Sequence, residues 1–163
     1  MEIRLERPGD EEALSTLITA AFANAEHSDG TEAAIVERLR DAGALTLSLV
    51  ADERCEPVAH IALSPVTIDG HHLGWFGLGP VAVRPDRQGA GIGSALIRDG
   101  LERLDHMGAA GCVLVGEPGY YGRFGFAADE GLLYPGVPPE YFQALSFTAG
   151  KPRGVVAYHP AFG

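Results

Sequence analysis

Three alternating glycines, Gly89, Gly91 and Gly93, separate an apolar run that ends at Val83 from a stretch with helical spacing. Glycine leaves the backbone N–H groups uncovered and permits left-handed dihedral angles. Where a helix begins, such N–H groups also lie at the positive end of the macrodipole. The pattern therefore predicts an anion-binding loop, and phosphate is the usual anion of such loops.

The residues around these glycines exclude one common phosphate loop and disfavour another. A Walker loop requires a lysine next to its last glycine, and the lysine of this chain is Lys151, far from the loop. A dinucleotide loop requires Gly-x-Gly-x-x-Gly, but the third position is Ser94 counted from Gly89, or Leu96 counted from Gly91. A nicotinamide-dependent oxidoreductase is thus a poor fit, and binding of a nicotinamide cofactor would be needed to support it.

The acidic composition restricts how an anion could be held. The 163 residues carry a formal net charge of −10 at pH 7, which argues against nucleic acid because its phosphates require a basic face. A phosphate must then be bound locally, by backbone N–H groups and a few arginines, for which Arg84, Arg87 and Arg123 are candidates. The acidity weakly favours a cationic partner such as an amine.

Length and hydropathy predict one domain that spans residues 1–163. With 46% apolar residues, the chain can bury one sizeable core. No apolar run approaches the roughly 20 residues of a membrane span, and no secretory signal is visible at the N-terminus. We therefore expect a cytoplasmic protein with no membrane partner.

The cysteines and histidines give no metal-binding pattern. Cys55 lies in a polar turn and Cys112 in an apolar strand, which predicts one surface thiol and one core thiol. His71 and His72 are adjacent and would point to opposite faces of a strand. We expect no metal and no disulfide.

Apolar periodicity and turn residues predict the elements that must position the loop. Strands are expected at 2–7, 45–51, 58–68, 73–83, 112–115, 140–147 and 154–158, the second with the third and the last two forming hairpins. Helices are expected from Pro8 to about Phe22, from a capping box at Asp29–Glu32 to Gly43, and at 89–106, with a short helix or turn at 117–123. Gly79-Pro80 predicts a β-bulge.

The order β-α-α-β-β-β-α-β-α-β-β predicts an α/β (α+β) fold in a single domain. Six to seven strands would form one mixed sheet with helices on both faces. The strand–helix–strand unit from Leu73 to Val115 should be parallel and right-handed.

Two motifs carry a resemblance to a known family. One is Gln88-x-x-Gly91-x-Gly93 after the strand Val81-x-Val83, and the other is Tyr121-Gly-Arg-Phe-Gly-Phe126 after the next strand. Their order and separation resemble the GNAT superfamily of acetyl-CoA-dependent N-acetyltransferases. The predicted elements match that fold from Met1 to the C-terminal strands.

The resemblance implies how acetyl-CoA would bind. The sheet would be splayed between its fourth and fifth strands, and the backbone N–H and C=O groups of Val81 and Val83 would pair with the amides of pantetheine. The N–H of Val81 or Ala82 would polarise the thioester carbonyl. The pyrophosphate would be held by the loop residues Gln88, Gly89, Ala90, Gly91, Ile92, Gly93 and Ser94.

The resemblance also implies a proton donor for the leaving thiolate. Tyr121, placed by its motif at the start of a short helix, is the candidate acid, and Tyr120 is the alternative. A phenol has an ordinary pKa of about 10 and can serve as a donor. An asparagine that often precedes this tyrosine in the superfamily is absent, and Gly116-Glu-Pro-Gly stands in that region.

The base and the acceptor are less defined. Glu117, after the strand 112–115, is the candidate base, with Glu32, His27 or a bound water as alternatives. The acceptor would be an amine on a small molecule, peptide or protein, contacted by the segments 22–31 and 136–143. A non-catalytic acyl-CoA-binding module is the alternative function, and a homodimer is compatible with the resemblance.

Overall fold

The computed structural model describes residues 1–25 and 28–163. Within these ranges the helices are α1 (Glu11–Phe22), α2 (Glu32–Asp41), α3 (Ile92–His106) and α4 (Pro118–Tyr121). The strands are β1 (Glu2–Leu5), β2 (Leu47–Glu53), β3 (Glu56–Pro65), β4 (Thr67–Ile68), β5 (Trp75–Val83), β6 (Gly111–Val115), β7 (Ala127–Ala128), β8 (Leu132–Leu133), β9 (Phe142–Ser146) and β10 (Gly154–Ala157).

Seven strands form one mixed sheet in the order β1-β2-β3-β5-β6-β9-β7. β5 and β6 are parallel, as predicted, whereas β1–β2, β2–β3 and β6–β9 are antiparallel. The predicted mixed α/β class is therefore confirmed. The short strands β4, β10 and β8 form a second sheet that the sequence analysis does not predict.

β5 pairs with β3 and carries one residue more than β3 over the paired stretch. Backbone bonds from Val66 N–H to Trp75 O (3.1 Å) and from Arg84 N–H to Val58 O (2.8 Å) indicate that β3 and β5 run antiparallel. From Val58 to Val66 the chain advances eight residues, but from Trp75 to Arg84 it advances nine. One extra residue on β5 is what a β-bulge requires, and the interval contains Gly79-Pro80, whose peptide is cis.

The register between β5 and β6 is short. It joins Trp75, Phe76 and Gly77 to Gly111, Cys112 and Val113, although β5 continues to Val83 and β6 to Val115. These are the two strands between which the sequence analysis expects the sheet to be splayed.

The chain divides into two compact units, described separately below. The first comprises Met1–Leu63, Gly79–Gly100 and Ala161–Gly163, and the second comprises Ser64–Leu78 and Leu101–Pro160.

Helices pack on both faces of the sheet in the first unit, as predicted. On one face Ile18 of α1 packs with Ala62 and Ala82 in an apolar cluster. On the other, Gly100 of α3 lies so close to the sheet that an added Cβ would come within 2.8 Å of Ile61 Cδ1. Because neighbouring residues of a strand point to opposite faces, Ile61 and Ala62 belong to these two different layers.

An apolar cluster forms the core of the second unit. Gly111 on β6 is required by this core, because a Cβ there would overlap the indole of Trp75. Gly77 is similarly placed against Tyr158, whose Cε2 would lie 2.6 Å from an added Cβ. The buried members of the cluster are Val66, Ile68, Trp75, Val113, Leu132, Phe142 and Val156.

The predicted C-terminal hairpin is wrong. β9 pairs with β6 and β7 in the large sheet, whereas β10 pairs with β4 and β8 in the small one. The turn at Asp69 fixes β10, since Asp69 N–H donates to Val155 O and Val155 N–H donates to Asp69 Oδ1, both at 2.8 Å. These long-range bonds outweigh the proximity of the two strands in sequence.

Two predicted helix starts are also wrong. α2 begins at Glu32 without the capping box, because the Asp29 carboxylate instead accepts bonds from the Thr31 N–H and hydroxyl, and Glu32 accepts one from Ser28. α3 begins at Ile92 rather than Gly89, because Gly89 and Gly91 have left-handed φ angles of +81° and +82°.

In the described part of the chain, no helix is both long and apolar enough to cross a membrane.

Candidate active site

The glycine loop lies in the first unit, between β5 and α3. A 3₁₀ turn at Pro85–Arg87 follows β5, and the first backbone bond of α3 runs from Ala95 N–H to Gly91 O at 3.1 Å. Helix geometry leaves the N–H groups of the first turn without intrahelical acceptors. Gly89 and Gly91 therefore lie directly before the first turn of α3, where the sequence analysis expects an anion to bind.

The loop glycines are required for their backbone conformation rather than for close packing. Gly89 and Gly91 are exposed and left-handed, and a Cβ at either would meet no atom within 4 Å. The loop is therefore open to a ligand.

The ten predicted cofactor residues all lie in the first unit. They are Val81, Ala82 and Val83 on β5, Gln88, Gly89, Ala90 and Gly91 in the loop, and Ile92, Gly93 and Ser94 at the start of α3.

The carbonyl group of Val83 already has a partner within the loop. Gln88 Nε2 donates to Val83 O at 3.2 Å. The sequence analysis expects this oxygen to pair with pantetheine, so a ligand would have to share it with Gln88. The contact ties the loop to the end of β5. Gln88 thus has a structural role in addition to the predicted backbone contact.

Two of the three candidate phosphate-binding arginines form ion pairs within the chain. Arg84 contacts Asp86 at 2.6 Å, and Arg87 contacts Glu53 through two bonds of 2.6 and 2.8 Å. Hydrogen bonding to Arg87 lowers the pKa of Glu53. Much of the arginine charge near the loop is therefore neutralised, and backbone N–H groups remain the main source of positive potential there.

Tyr121, in the second unit, ends α4 rather than starting it, which corrects the sequence analysis. Pro118 takes the first helical position, and Tyr121 N–H donates to Glu117 O at 3.0 Å. The Tyr121 ring packs edge-on against Tyr120 and Phe126, with centroid distances of 4.9 and 6.3 Å. Burial raises the pKa of Tyr121 to about 12, so the phenol stays protonated at neutral pH.

Two residues that the sequence analysis missed hold the segment before Tyr121. Gly116 lies against the Tyr121 ring so closely that a Cβ at Gly116 would overlap it. The Gln143 side chain, 1% exposed, donates from Nε2 to Gly116 O at 2.9 Å. The polar Gln143 within the apolar stretch Phe142–Leu145 is the signal that could have identified it.

The other predicted acid–base residues have different environments. Tyr120 lies under the guanidinium of Arg123, 4.4 Å from its ring centroid. Glu117 is exposed and flanks the N-terminus of α4. Glu32 accepts a 2.6 Å bond from Ser28, as expected for a structural carboxylate. His27, the remaining alternative, lies outside the described residues.

A cavity of about 290 Å³ in the second unit is lined by part of the segment predicted to contact the acceptor. Val137, Pro139 and Phe142 contribute apolar surface, and Asp129 and Glu130 contribute carboxylates.

Among the described residues, no group of three or more His, Cys, Asp and Glu side chains could hold a metal ion. Cys55 is exposed and Cys112 buried, as predicted.

Known proteins resemble the chain over nearly its whole length. The sequence model of a family described as acetyltransferase (GNAT) domain matches residues 2–128. YhbS of Escherichia coli K12, described as an uncharacterized N-acetyltransferase, is 36% identical over 169 residues, covering 99% of this chain and 98% of the relative.

Two solved structures are also similar. One is a GNAT family acetyltransferase from Brucella melitensis in complex with acetyl-CoA, with 51% identity, a TM-score of 0.90, and coverage of 99% of this chain and 97% of that one. The other is Escherichia coli YhbS in complex with CoA, with 33% identity, a TM-score of 0.90, and coverage of 99% and 91%.

Proposed function

Because the chain belongs to the GNAT family of acetyltransferases, we propose that it transfers the acetyl group of acetyl-CoA directly to an amine in a ternary complex. The similar Brucella protein, solved with acetyl-CoA, supports the choice of donor. In this chain the supporting observation is the open, left-handed glycine loop at the start of α3. Acetyl-CoA supplies an acetyl group already activated as a thioester.

We propose that the loop 88–94 binds the pyrophosphate of CoA. Backbone N–H groups at a helix start suit this anion, and the exposed glycines offer no side chain that blocks its approach. The backbone of Val81 and Val83 would pair with pantetheine, and the N–H of Val81 or Ala82 would stabilise negative charge that develops on the acetyl oxygen. Such stabilisation commonly contributes most to acyl transfer.

Tyr121 is proposed as the acid for the leaving sulfur. Its raised pKa keeps the hydroxyl proton in place at neutral pH, and the packing against Gly116 fixes the ring. A phenol of such high pKa acts first as a hydrogen-bond donor to the sulfur as charge develops there. Tyr120 is the weaker candidate, because its ring stacks under Arg123.

The acceptor is proposed to be an amine on a small molecule, peptide or protein. The carboxylates of Asp129 and Glu130 beside an apolar cavity favour a cationic group with an apolar body. Glu117 is the carboxylate that the sequence analysis offers as the base, with Glu32, His27 or a bound water as alternatives.

Calorimetry and an acceptor screen test this function. Acetyl-CoA is titrated into the protein, and released thiol is then measured with spermidine, kanamycin, L-lysine and a peptide with a free N-terminal alanine. We expect binding and acetylation of at least one amine. Absence of acetyl-CoA binding would refute the proposal, whereas binding without transfer to any amine would support the non-catalytic acyl-CoA-binding alternative.

A further inference from the structure

The side chain of Gln143 is buried with a partner for its nitrogen and none for its oxygen. It lies on β9 in the second unit and is 1% exposed. Nε2 donates to Gly116 O at 2.9 Å, whereas Oε1 is buried and has no hydrogen-bond partner among the described residues. A buried acceptor without a donor destabilises a fold. This amide therefore adds less to stability than a fully bonded polar side chain would.

The strand register places Gln143 and the Tyr121 ring on the same face of the sheet. In the antiparallel pair β6–β9, Gln143 lies opposite Leu114, and residues directly opposite each other point to one face. Gly116 N–H donates to Tyr141 O at 2.9 Å, so the pairing continues past the end of β6 and Gly116 shares the face of Leu114. A Cβ on Gly116 would overlap the Tyr121 ring, which therefore covers this face.

Two hydrogen bonds restrain the backbone of Gly116. Its N–H group donates to Tyr141 O, and its C=O group accepts from Gln143 Nε2. In a regular antiparallel pair that C=O group would accept from Tyr141 N–H, but Tyr141 N–H donates to Pro138 O at 3.0 Å. The Gln143 side chain therefore supplies the bond that the strand ladder lacks at this point.

This bond lies at the base of the short helix that carries Tyr121. The carbonyl group of Gly116 belongs to the peptide that joins it to Glu117, and Tyr121 N–H donates to Glu117 O at 3.0 Å. Glycine permits a wide range of dihedral angles, so the direction of the chain here depends on what holds that carbonyl group. Its release would alter both the surface under the Tyr121 ring and the start of α4.

We propose that Gln143 is a positioning residue for acetyl transfer. By holding the carbonyl group of Gly116, it keeps the Tyr121 ring in the orientation from which the hydroxyl reaches the leaving sulfur. The inference rests on the proposed function, in which Tyr121 is the acid. Gln143 acts through Gly116 and Tyr121, and it forms or breaks no bond of the reaction itself.

Methionine provides a test that separates positioning from stability. It has nearly the volume of glutamine, and Gln143→Met removes the partnerless Oε1 together with the bond to Gly116. Gly116 is half-buried, so its released carbonyl group can bond to water. The two effects on stability oppose each other, and the melting temperature should change by no more than about 3 °C. Loss of activity without loss of stability would then report a change in the position of Tyr121.

Nuclear magnetic resonance tests the geometry without an assay of activity. The probes are the ¹³C resonance of the Gly116 carbonyl and the ring ¹³C resonances of Tyr121, assigned by comparison with Tyr121→Phe. Both should move in Gln143→Met. Ser146→Ala is the matched control, because Ser146 also lies on β9 and donates to backbone carbonyls but pairs with the other end of β6. Unchanged Tyr121 resonances in Gln143→Met would overturn the proposal.

Kinetics test the effect on catalysis, with the best amine of the acceptor screen. Gln143→Met should lower kcat about 10- to 100-fold, as expected for a misplaced catalytic group, while KM for acetyl-CoA changes by less than about twofold. Ser146→Ala should retain the kcat of the unaltered protein. In a Tyr121→Phe background, Gln143→Met should cause no further loss, because both changes act through one hydroxyl. Additive losses would show that Gln143 acts elsewhere and would refute the inference.

A pH profile of Gln143→Glu provides a second variant, with the shape of glutamine. A protonated carboxyl can donate to the Gly116 carbonyl, but an ionised one cannot. Burial raises the pKa of a carboxyl, which brings its ionisation toward neutral pH. The ratio of kcat for this variant to kcat for the unaltered protein should be near one while the carboxyl is protonated, and should fall as it ionises. Side-chain ¹³C resonances measure the ionisation, and a ratio that does not follow it would contradict the assignment.

These outcomes are distinct from failure of the proposed function. If the unaltered protein acetylates an amine and a folded Gln143→Met retains the same kcat, the inference is wrong and the function stands. If Gln143→Met does not fold, the pH profile of Gln143→Glu decides the question. If the unaltered protein acetylates none of the amines, the proposed function and the catalytic role of Gln143 are both refuted, whatever the resonances show.

Discussion

The ring of Tyr121 occupies the space that a side chain at Gly116 would need. Gly116→Ala should therefore displace the phenol and lower kcat about tenfold, with little change in the affinity for acetyl-CoA. The matched control is Gly119→Ala, because a Cβ at Gly119 would meet no atom within 4 Å. Steady-state kinetics of both variants test the relationship. Equal kcat values for the two variants would contradict it.

The proposed acid is tested by comparing two adjacent tyrosines. Tyr121→Phe should lower kcat about 100-fold, since a general acid commonly contributes that much, and should leave the calorimetric Kd for acetyl-CoA unchanged. Tyr120→Phe should retain most of the activity. In the double variant Gly116→Ala, Tyr121→Phe, the two losses should not add, because both act through the same hydroxyl. The reverse ranking of the single variants would assign the acid to Tyr120.

The pH dependence of the reaction should reflect the buried phenol. A general acid works only while protonated, so activity is lost as the pH rises through its pKa. Burial raises the pKa of Tyr121 to about 12, compared with about 10 for a free phenol. The alkaline decline of kcat assigned to Tyr121 should therefore lie above pH 10. A decline near pH 8 that disappears in Tyr121→Phe would contradict this expectation.

Cofactor affinity should depend on the left-handed conformation of Gly91. An L-residue in this region is disfavoured by roughly 1–2 kcal/mol, so Gly91→Ala should distort the loop and weaken acetyl-CoA binding about tenfold. Gly136→Ala provides the control, since Gly136 is also left-handed, at φ +92°, and has open space around it. Calorimetry should show an unchanged Kd for the control. A similar loss in both variants would point to general destabilisation.

His60 should make the stability of the fold depend on pH. The unfolded chain binds a proton at His60 near pH 6.5, but burial lowers the folded pKa to about 4. The unfolded state therefore binds more protons between these values, and stability falls as the pH decreases from 6.5 to 4. The expected loss is about 3 kcal/mol for the full shift.

Urea denaturation at a series of pH values measures this loss. A folded His60→Gln protein should have a shallower decline over the same pH window, with the remaining slope due to carboxylates such as Asp10, whose pKa is lowered chiefly by Arg4. Identical slopes for the two proteins would show that folding does not change the pKa of His60.

The local sequence determines most of the elements and the loop. Apolar spacing predicts α1 with its end at Phe22, and the polar turn 52–57 predicts the β2–β3 hairpin. The left-handed turns of the loop can be predicted because they depend on glycines that are close together in the sequence, and the proposal of a phosphate site rests on the same residues. The family also follows from two motifs of this kind.

Only the tertiary structure decides which distant groups meet. The sequence gives no sign that Arg87 pairs with Glu53, and local proximity wrongly favours β9 as the partner of β10. In the sequence, His60 is one polar residue within an apolar strand. The structure shows that its Nε2 contacts Ser48 and that its Nδ1 is buried with no hydrogen-bond partner among the described residues. Periodicity and turn chemistry act over a few residues, whereas strand pairing and buried hydrogen bonds depend on the packing of the whole chain.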